Sequence, residues 1–241
     1  MAAHARLSAS QTKQWWNCPG SVAVLETRPD LRSPSGEYAM LGTAAHHLLE
    51  ICLTKGDHPE DYAGRLIEVI ETDDSDGISM LRKNAKLPKD PNRHVFEVDA
   101  DMTDAVSVCY NYVVGRLREH MPGASDMEDK ELLLGAVKSD LLKIEIKVVP
   151  LPERDDTGGT SDVILDFWPD LLEVIDYKNG SGVFVPVEEN HQLRSYALGA
   201  AVMSDFSHDA VRYTIVQPRH PDGGVSSEDM ATADLKTWAE D

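Results

Sequence analysis

The stretch "LLEVIDYKNGSG", residues 171–182, decides how this chain is read. Leu171, Leu172, Val174 and Ile175 have the apolar, β-branched character of a buried strand. Asp176 and Lys178 stand at its end, and a glycine-rich turn follows. Side chains alternate along a strand, so the carboxylate and the amine share one face. Glu173 falls on the opposite face, where a structural or solvated role is expected.

The preceding segment supplies a partner. "GTSDVILDFW", 159–168, reads as a second strand, with Pro169 and Asp170 as the turn between the two. With Trp168 opposite Leu171, counting outward brings Asp162 beside Tyr177 and Asp176. A one-residue bulge instead sets the two aspartates directly opposite each other. In either register they lie close together, near a lysine. Two adjacent carboxylates repel, and burial raises that cost. Pairing with Lys178 compensates one of them, as in a purely structural ion cluster. A divalent cation compensates both, and oxygen ligands with water suit Mg2+ or Mn2+.

Further out, "KIEIKVV", 143–149, alternates as a strand with Ile144, Ile146 and Val148 on one face, and its Glu145 is within reach of the aspartates. "EENHQLRSYALGAAVMS" reads as a helix and "AVRYTIVQP" as a fourth strand. The tail from Asp222 reads as a polar loop and a last helical turn. Upstream, Ser8 and Gln11 form a capping-box pattern for a short helix that Pro19 and Gly20 should stop. Helices are expected over Glu37–Lys55 and Glu60–Glu71, and residues 72–96 read mostly as loop. "DADMTDAVSVCYNYVVGRLREHM" is an amphipathic helix with Val106, Cys109, Val113 and Leu117 in one stripe. Helices come first, then strand-strand-strand-helix-strand. The expectation is an α/β (α+β) fold. An N-terminal helical region, 1–125, joins a mixed-sheet core, 126–241, in one compact domain with about four strands.

The chain has 241 residues, 41% of them hydrophobic, enough for a sizeable core. Its net charge of −19, from 23 basic and 42 acidic residues, disfavours broad binding to a polyanion and leaves room for a local contact. The densest basic stretch, Arg82, Lys83, Lys86, Lys89 and Arg93, reads first as a solvated loop and second as a contact loop. No apolar run approaches the ~20 residues of a membrane span, and "MAAHARLSAS" lacks a signal peptide's apolar stretch. A soluble, cytoplasmic protein is expected. Cys18, Cys52 and Cys109 have no C-x-x-C spacing, which argues against a disulfide framework or a four-cysteine metal site. Cys52 and Cys109 fit core packing.

Two helical pairs remain. His46 and Glu50 are four residues apart in "GTAAHHLLE", without the H-E-x-x-H of a zinc protease. Gln192 and Tyr196 have the same spacing after the third strand. "KNGSG" lacks the lysine that ends a phosphate-binding loop and reads as a turn.

Four motifs in order, G-x-x-x-H (Gly42 to His46), G-T-S-D (Gly159 to Asp162), D-Y-K (Asp176 to Lys178) and Q-x-x-x-Y (Gln192 to Tyr196), resemble the RecB-type branch of the PD-(D/E)XK nucleases. The fuller wording, with "SASQTKQWWNCPGS" and "VQPR", looks like a phage and prophage family within that branch, often left as a domain of unknown function. The resemblance covers about residues 4–220. It implies a restriction-endonuclease-like core that hydrolyses DNA with Mg2+ or Mn2+. Exonuclease action in phage recombination or DNA processing is the leading expectation, with a single-strand annealing or recombinase protein as a partner. The alternatives are a structure-selective endonuclease and a catalytically silent DNA-end-binding or assembly protein. The resemblance also implies roles. His46, Asp162, Asp176 and the Tyr177 carbonyl would hold the metal. Lys178 would orient or deprotonate the attacking water. Gln192 and Tyr196 would position substrate, with Glu50 and Glu145 behind the ligands. Many relatives hold an iron–sulfur cluster between a cysteine in the "CPG" region and a cysteine-rich C-terminal segment. Here Cys18 has no partners after Cys109. No cluster is expected, Cys18 is expected to be packed, and what docks the N- and C-terminal parts is left open.

Overall fold

The computed structural model describes residues 5–31, 36–71, 77–84, 90, 92–154 and 156–240. The central sheet has six strands: β1 (Leu7–Ser8), β5 (Leu142–Val148), β6 (Thr157–Phe167), β7 (Leu171–Tyr177), β8 (Ala210–Gln217) and β9 (Gly224–Ala231). β1 and β5 both pair with β6, and the order then runs β6-β7-β8-β9. β7 and β8 are parallel and joined by α6 (His191–Met203); β5–β6, β6–β7 and β8–β9 are antiparallel. The mixed sheet is as expected, with two more strands.

Alternation along β6 and β7 splits the apolar side chains between two cores. Val163, Leu165, Ile175 and Tyr177 face α3 (Glu37–Lys55), α4 (Ala100–His120) and α5 (Asp129–Lys138). Ile164, Leu172 and Val174 face α6, packed with Leu193, Ala197 and Ala201. Burial on both faces explains why β7 reads as a continuous apolar run. Glu173 is the exception on the first face. Fully buried, it accepts hydrogen bonds from Arg116 Nε at 2.7 Å, Tyr112 at 2.6 Å and Thr214 at 2.9 Å, so it is structural and not solvated.

Several expectations are corrected. Glu60–Glu71 is not a helix. Pro59–Tyr62 makes one 3-10 turn, Gly64 turns the chain at φ +71°, and Leu66–Ile70 is strand β2. Ile67 and Val69 go to the core, while Glu68 is held by Arg93 at 2.6 Å. Among the described residues of 72–96, two stretches read as loop are strands. Gly77–Leu81 (β3) and Arg93–Glu97 (β4) flank β2 in a second, three-stranded sheet, so the N-terminal region is not purely helical. Lys86 and Lys89 lie outside the described residues. The tail holds β9 and helix α7 (Thr232–Glu240), whose Leu235 is buried. β9 reads as polar because it sits at the sheet edge with alternate residues exposed. Helices α2 (Gly20–Thr27) and α5 were not expected; α5 is anchored by Leu132, Leu133 and Ala136. The short helix α1 (Thr12–Asn17) is present, but Ser8 lies in β1 and makes no capping bond.

Cys18 is exposed, not packed. Aromatic rings dock the two ends of the chain. Trp16 of α1 stacks on His191 of α6 at 4.6 Å and on Trp238 of α7 at 5.7 Å. Among the described residues no helix is long and apolar enough to cross a membrane.

Candidate metal centre

The β6–β7 hairpin sets the geometry. Phe167 pairs with Leu171, which leaves a three-residue turn in place of the two-residue one expected. That single residue shifts the register: Val163 and Ile175 are the last pair of the ladder, and continuing the same register one step outward sets Asp162 opposite Asp176. The two carboxylates therefore stand level on one face, at the end of the sheet. Asp162 Oδ2 accepts from the Tyr177 backbone N–H at 2.7 Å, which fixes the side chain.

His46 arrives from α3. Its Nε2 lies 2.8 Å from the Tyr177 carbonyl oxygen and its Nδ1 3.6 Å from Asp162 Oδ1. A carbonyl only accepts, so Nε2 carries a proton, and Nδ1 is the ring nitrogen turned toward Asp162. Glu145 completes the group: ligand atoms of His46, Glu145 and Asp162 all lie within 4.8 Å of one another. Two atoms bound to one ion at about 2.1 Å each stand roughly 3–4 Å apart, so the separation of His46 from Asp162 suits a shared cation. Two carboxylates and one imidazole suit Mn2+ and Mg2+.

Glu145 owes its position to an unusual backbone. β5 pairs Ile144 with Val163 and Ile146 with Ser161, which places Glu145 level with Asp162, yet its φ of +50° takes it out of the ladder. Its side chain stays open to solvent, but desolvation, the Asp162 charge and Glu50 push its carboxyl up to about 7, against the opposing effect of His46.

Asp176 plays a different part. It is buried and accepts from Lys178 Nζ at 2.8 Å and from Gln192 Nε2 at 3.3 Å. Burial pushes its carboxyl up, Lys178 opposes this, and Asp162 adds to it. Burial pulls the Lys178 amine down, but the charge and hydrogen bond of Asp176 outweigh it and hold the amine above its ordinary value. The raised lysine argues for a charged Lys178 that orients and donates, not one that removes a proton.

The remaining expected residues are placed as follows. Gln192 also donates to the Tyr196 hydroxyl at 3.3 Å, so the Q-x-x-x-Y pair supports Asp176. Glu50 turns to His47 Nδ1 at 3.1 Å rather than to His46. The Tyr177 carbonyl is engaged by His46, an orienting contact behind the ligand. Gly159 is required by packing: a Cβ there would fall 2.8 Å from Tyr196 Cε1 and 3.0 Å from Ala9 Cβ. Gln217, which the sequence reading did not single out, pins the loop after Lys178. It donates to the Gly180 and Val183 carbonyls and accepts from Val185 N–H. The G-S-G stretch is thus a held turn.

A mixed sheet with helices on both faces and a carboxylate–imidazole group at one end defines the class: an α+β protein with a candidate metal centre. The chain matches, over residues 4–241, the family described as "Protein of unknown function (DUF2800)", and it belongs to that family. A solved structure described as SSO0001 is 18% identical over 57% of this chain and 69% of its own, with a TM-score of 0.25, a similarity too slight to inform fold or function.

Proposed function

We propose that the chain is a Mg2+- or Mn2+-dependent deoxyribonuclease of the RecB type, acting as an exonuclease in the cytoplasm in phage DNA recombination or processing. The observation that carries this is the convergence of His46, Glu145 and Asp162 next to the Asp176–Lys178 pair, all from separate elements at one sheet end.

In this reading His46 Nδ1, Glu145 and Asp162 hold the ion, with Asp176 beside them. When bound, the ion supplies Lewis acidity toward a phosphoryl oxygen and makes water a better nucleophile at neutral pH. Lys178, kept protonated, orients the attacking water and offers its charge to the phosphate. Asp176 fixes Lys178, and Gln192 with Tyr196 fixes Asp176. Held this way, the amine loses little freedom when the phosphate arrives.

The test is incubation with labelled linear DNA, single- and double-stranded, in Mg2+, Mn2+ or EDTA. Nucleotide release should require metal and fall at least ~100-fold in Asp162→Asn and Lys178→Ala. DNA binding without cleavage in either metal sinks the nuclease reading. A covalently closed circle separates the two modes, since nicking it identifies an endonuclease.

A further inference from the structure

The second sheet carries a feature that the metal centre does not use. Arg65, Arg82 and Lys83 line an open cleft of about 940 Å3 together with Asn84, over Met80 and Leu81. All three cations are exposed. The chain has almost twice as many carboxylates as cations, and every other arginine among the described residues is engaged by a carboxylate. Arg65 and Arg82 are not, and Lys83 forms no ion pair among the described residues either. Three cations without a carboxylate partner among the described residues, in one groove of so acidic a chain, make a local positive site.

The backbone makes room for it. Lys83 lies over Gly64, where a Cβ would fall 2.6 Å from Nζ, so the glycine next to Arg65 lets the ammonium close on the cleft. A relay of contacts links the strand that carries the cleft to the segment after β7. Gly64 and Arg65 are hydrogen-bonded to Val98, which leads directly into the start of α4. Asp101 there pairs with Arg219, just past β8, and the β8 residue Val216 accepts from the Lys178 N–H at 2.8 Å.

We infer that the Arg65–Arg82–Lys83 cleft is a phosphate-backbone grip for DNA, engaging a part of the strand other than the phosphate at the metal centre. The inference rests on the nuclease reading only for its choice of ligand. Arginine forks and a lysine with an amide beside them match successive phosphates and carry no base code, so the grip is independent of sequence.

The test is fluorescence anisotropy of a labelled oligonucleotide, single-stranded and duplex, with calcium in place of magnesium and over a salt series. Arg65→Gln/Arg82→Gln/Lys83→Gln should bind roughly tenfold or more weakly at moderate salt. The slope of log affinity against log salt should fall by about two to three, since each lost phosphate contact removes about 0.7–0.9. Lys138→Gln/Lys236→Gln, two exposed cations elsewhere, should change neither. If the triple variant keeps the wild-type affinity and slope, or the two variants lose equally, the grip is refuted while metal-dependent cleavage by the wild type still stands. If the triple variant loses binding and the wild type never cleaves, the grip holds and the nuclease reading falls.

Discussion

Glu145 carries a left-handed backbone in the interior of a strand, a conformation that costs an ordinary residue about 1–3 kcal/mol and that tends to gather at functional sites. The cost leaves the carboxylate beside Asp162 and His46. A trade between stability and binding follows. Glu145→Gly relieves the backbone and removes the ligand. We expect its stability in urea to be unchanged or higher by up to about 1 kcal/mol. Its Mn2+ affinity by calorimetry should be at least ~10-fold weaker than wild type. Loss of both together would mean that Glu145 is a structural residue. The motif pattern and the alternation of "KIEIKVV" put Glu145 near the site. They did not show its left-handed φ, because nothing in a glutamate's chemistry announces it.

At the scale of elements, β5 and β6 are both fitted to α6 through glycine. Gly159 admits the Tyr196 ring, and Gly199 admits Val148, whose Cβ would lie 2.8 Å from an added methyl. Gly159→Ala should destabilise the fold by about 1–3 kcal/mol in chemical denaturation, because both neighbours of the new methyl sit in a packed core. It should also displace Tyr196 and Gln192, and cleavage should fall more than Mn2+ affinity, since the ring supports Asp176 rather than the ligand group. Equal losses in both would place Tyr196 nearer the metal than described. The G-T-S-D glycine was legible as a motif letter. Its reason, a ring from a helix more than thirty residues later, required the packed structure.

Over the whole molecule, carboxylates held by cations set the response to acid. Burial raises the Asp166 carboxyl, but hydrogen bonds from Lys143 and His208 outweigh it and hold it low. The Lys130 hydrogen bond lowers Asp57, and that of Arg212 lowers Asp229. A carboxylate depressed in the folded state contributes stability above its unfolded value, near 3.9, and loses it as pH falls through the folded value. The urea midpoint should therefore be steady across neutral pH and drop below about pH 4. Asp166→Asn should be less stable at neutral pH and show a shallower acid limb. An identical limb in wild type and variant would remove Asp166 from the account.

The sequence by itself determined the strands around the Asp162 and Asp176 motifs and helices α3, α4 and α6, and it put forward His46, Asp162, Asp176 and Lys178 as candidates. Periodicity and short-range motifs record which faces are apolar and where charge interrupts them. Only the tertiary structure decided the rest. The three-residue turn at Trp168 set the aspartates level, and α3 brought His46 Nδ1 to them. Three short strands, β2, β3 and β4, became a sheet only by pairing with one another. Strand pairing and ion compensation are properties of neighbours, and neighbours distant in sequence meet only in the fold.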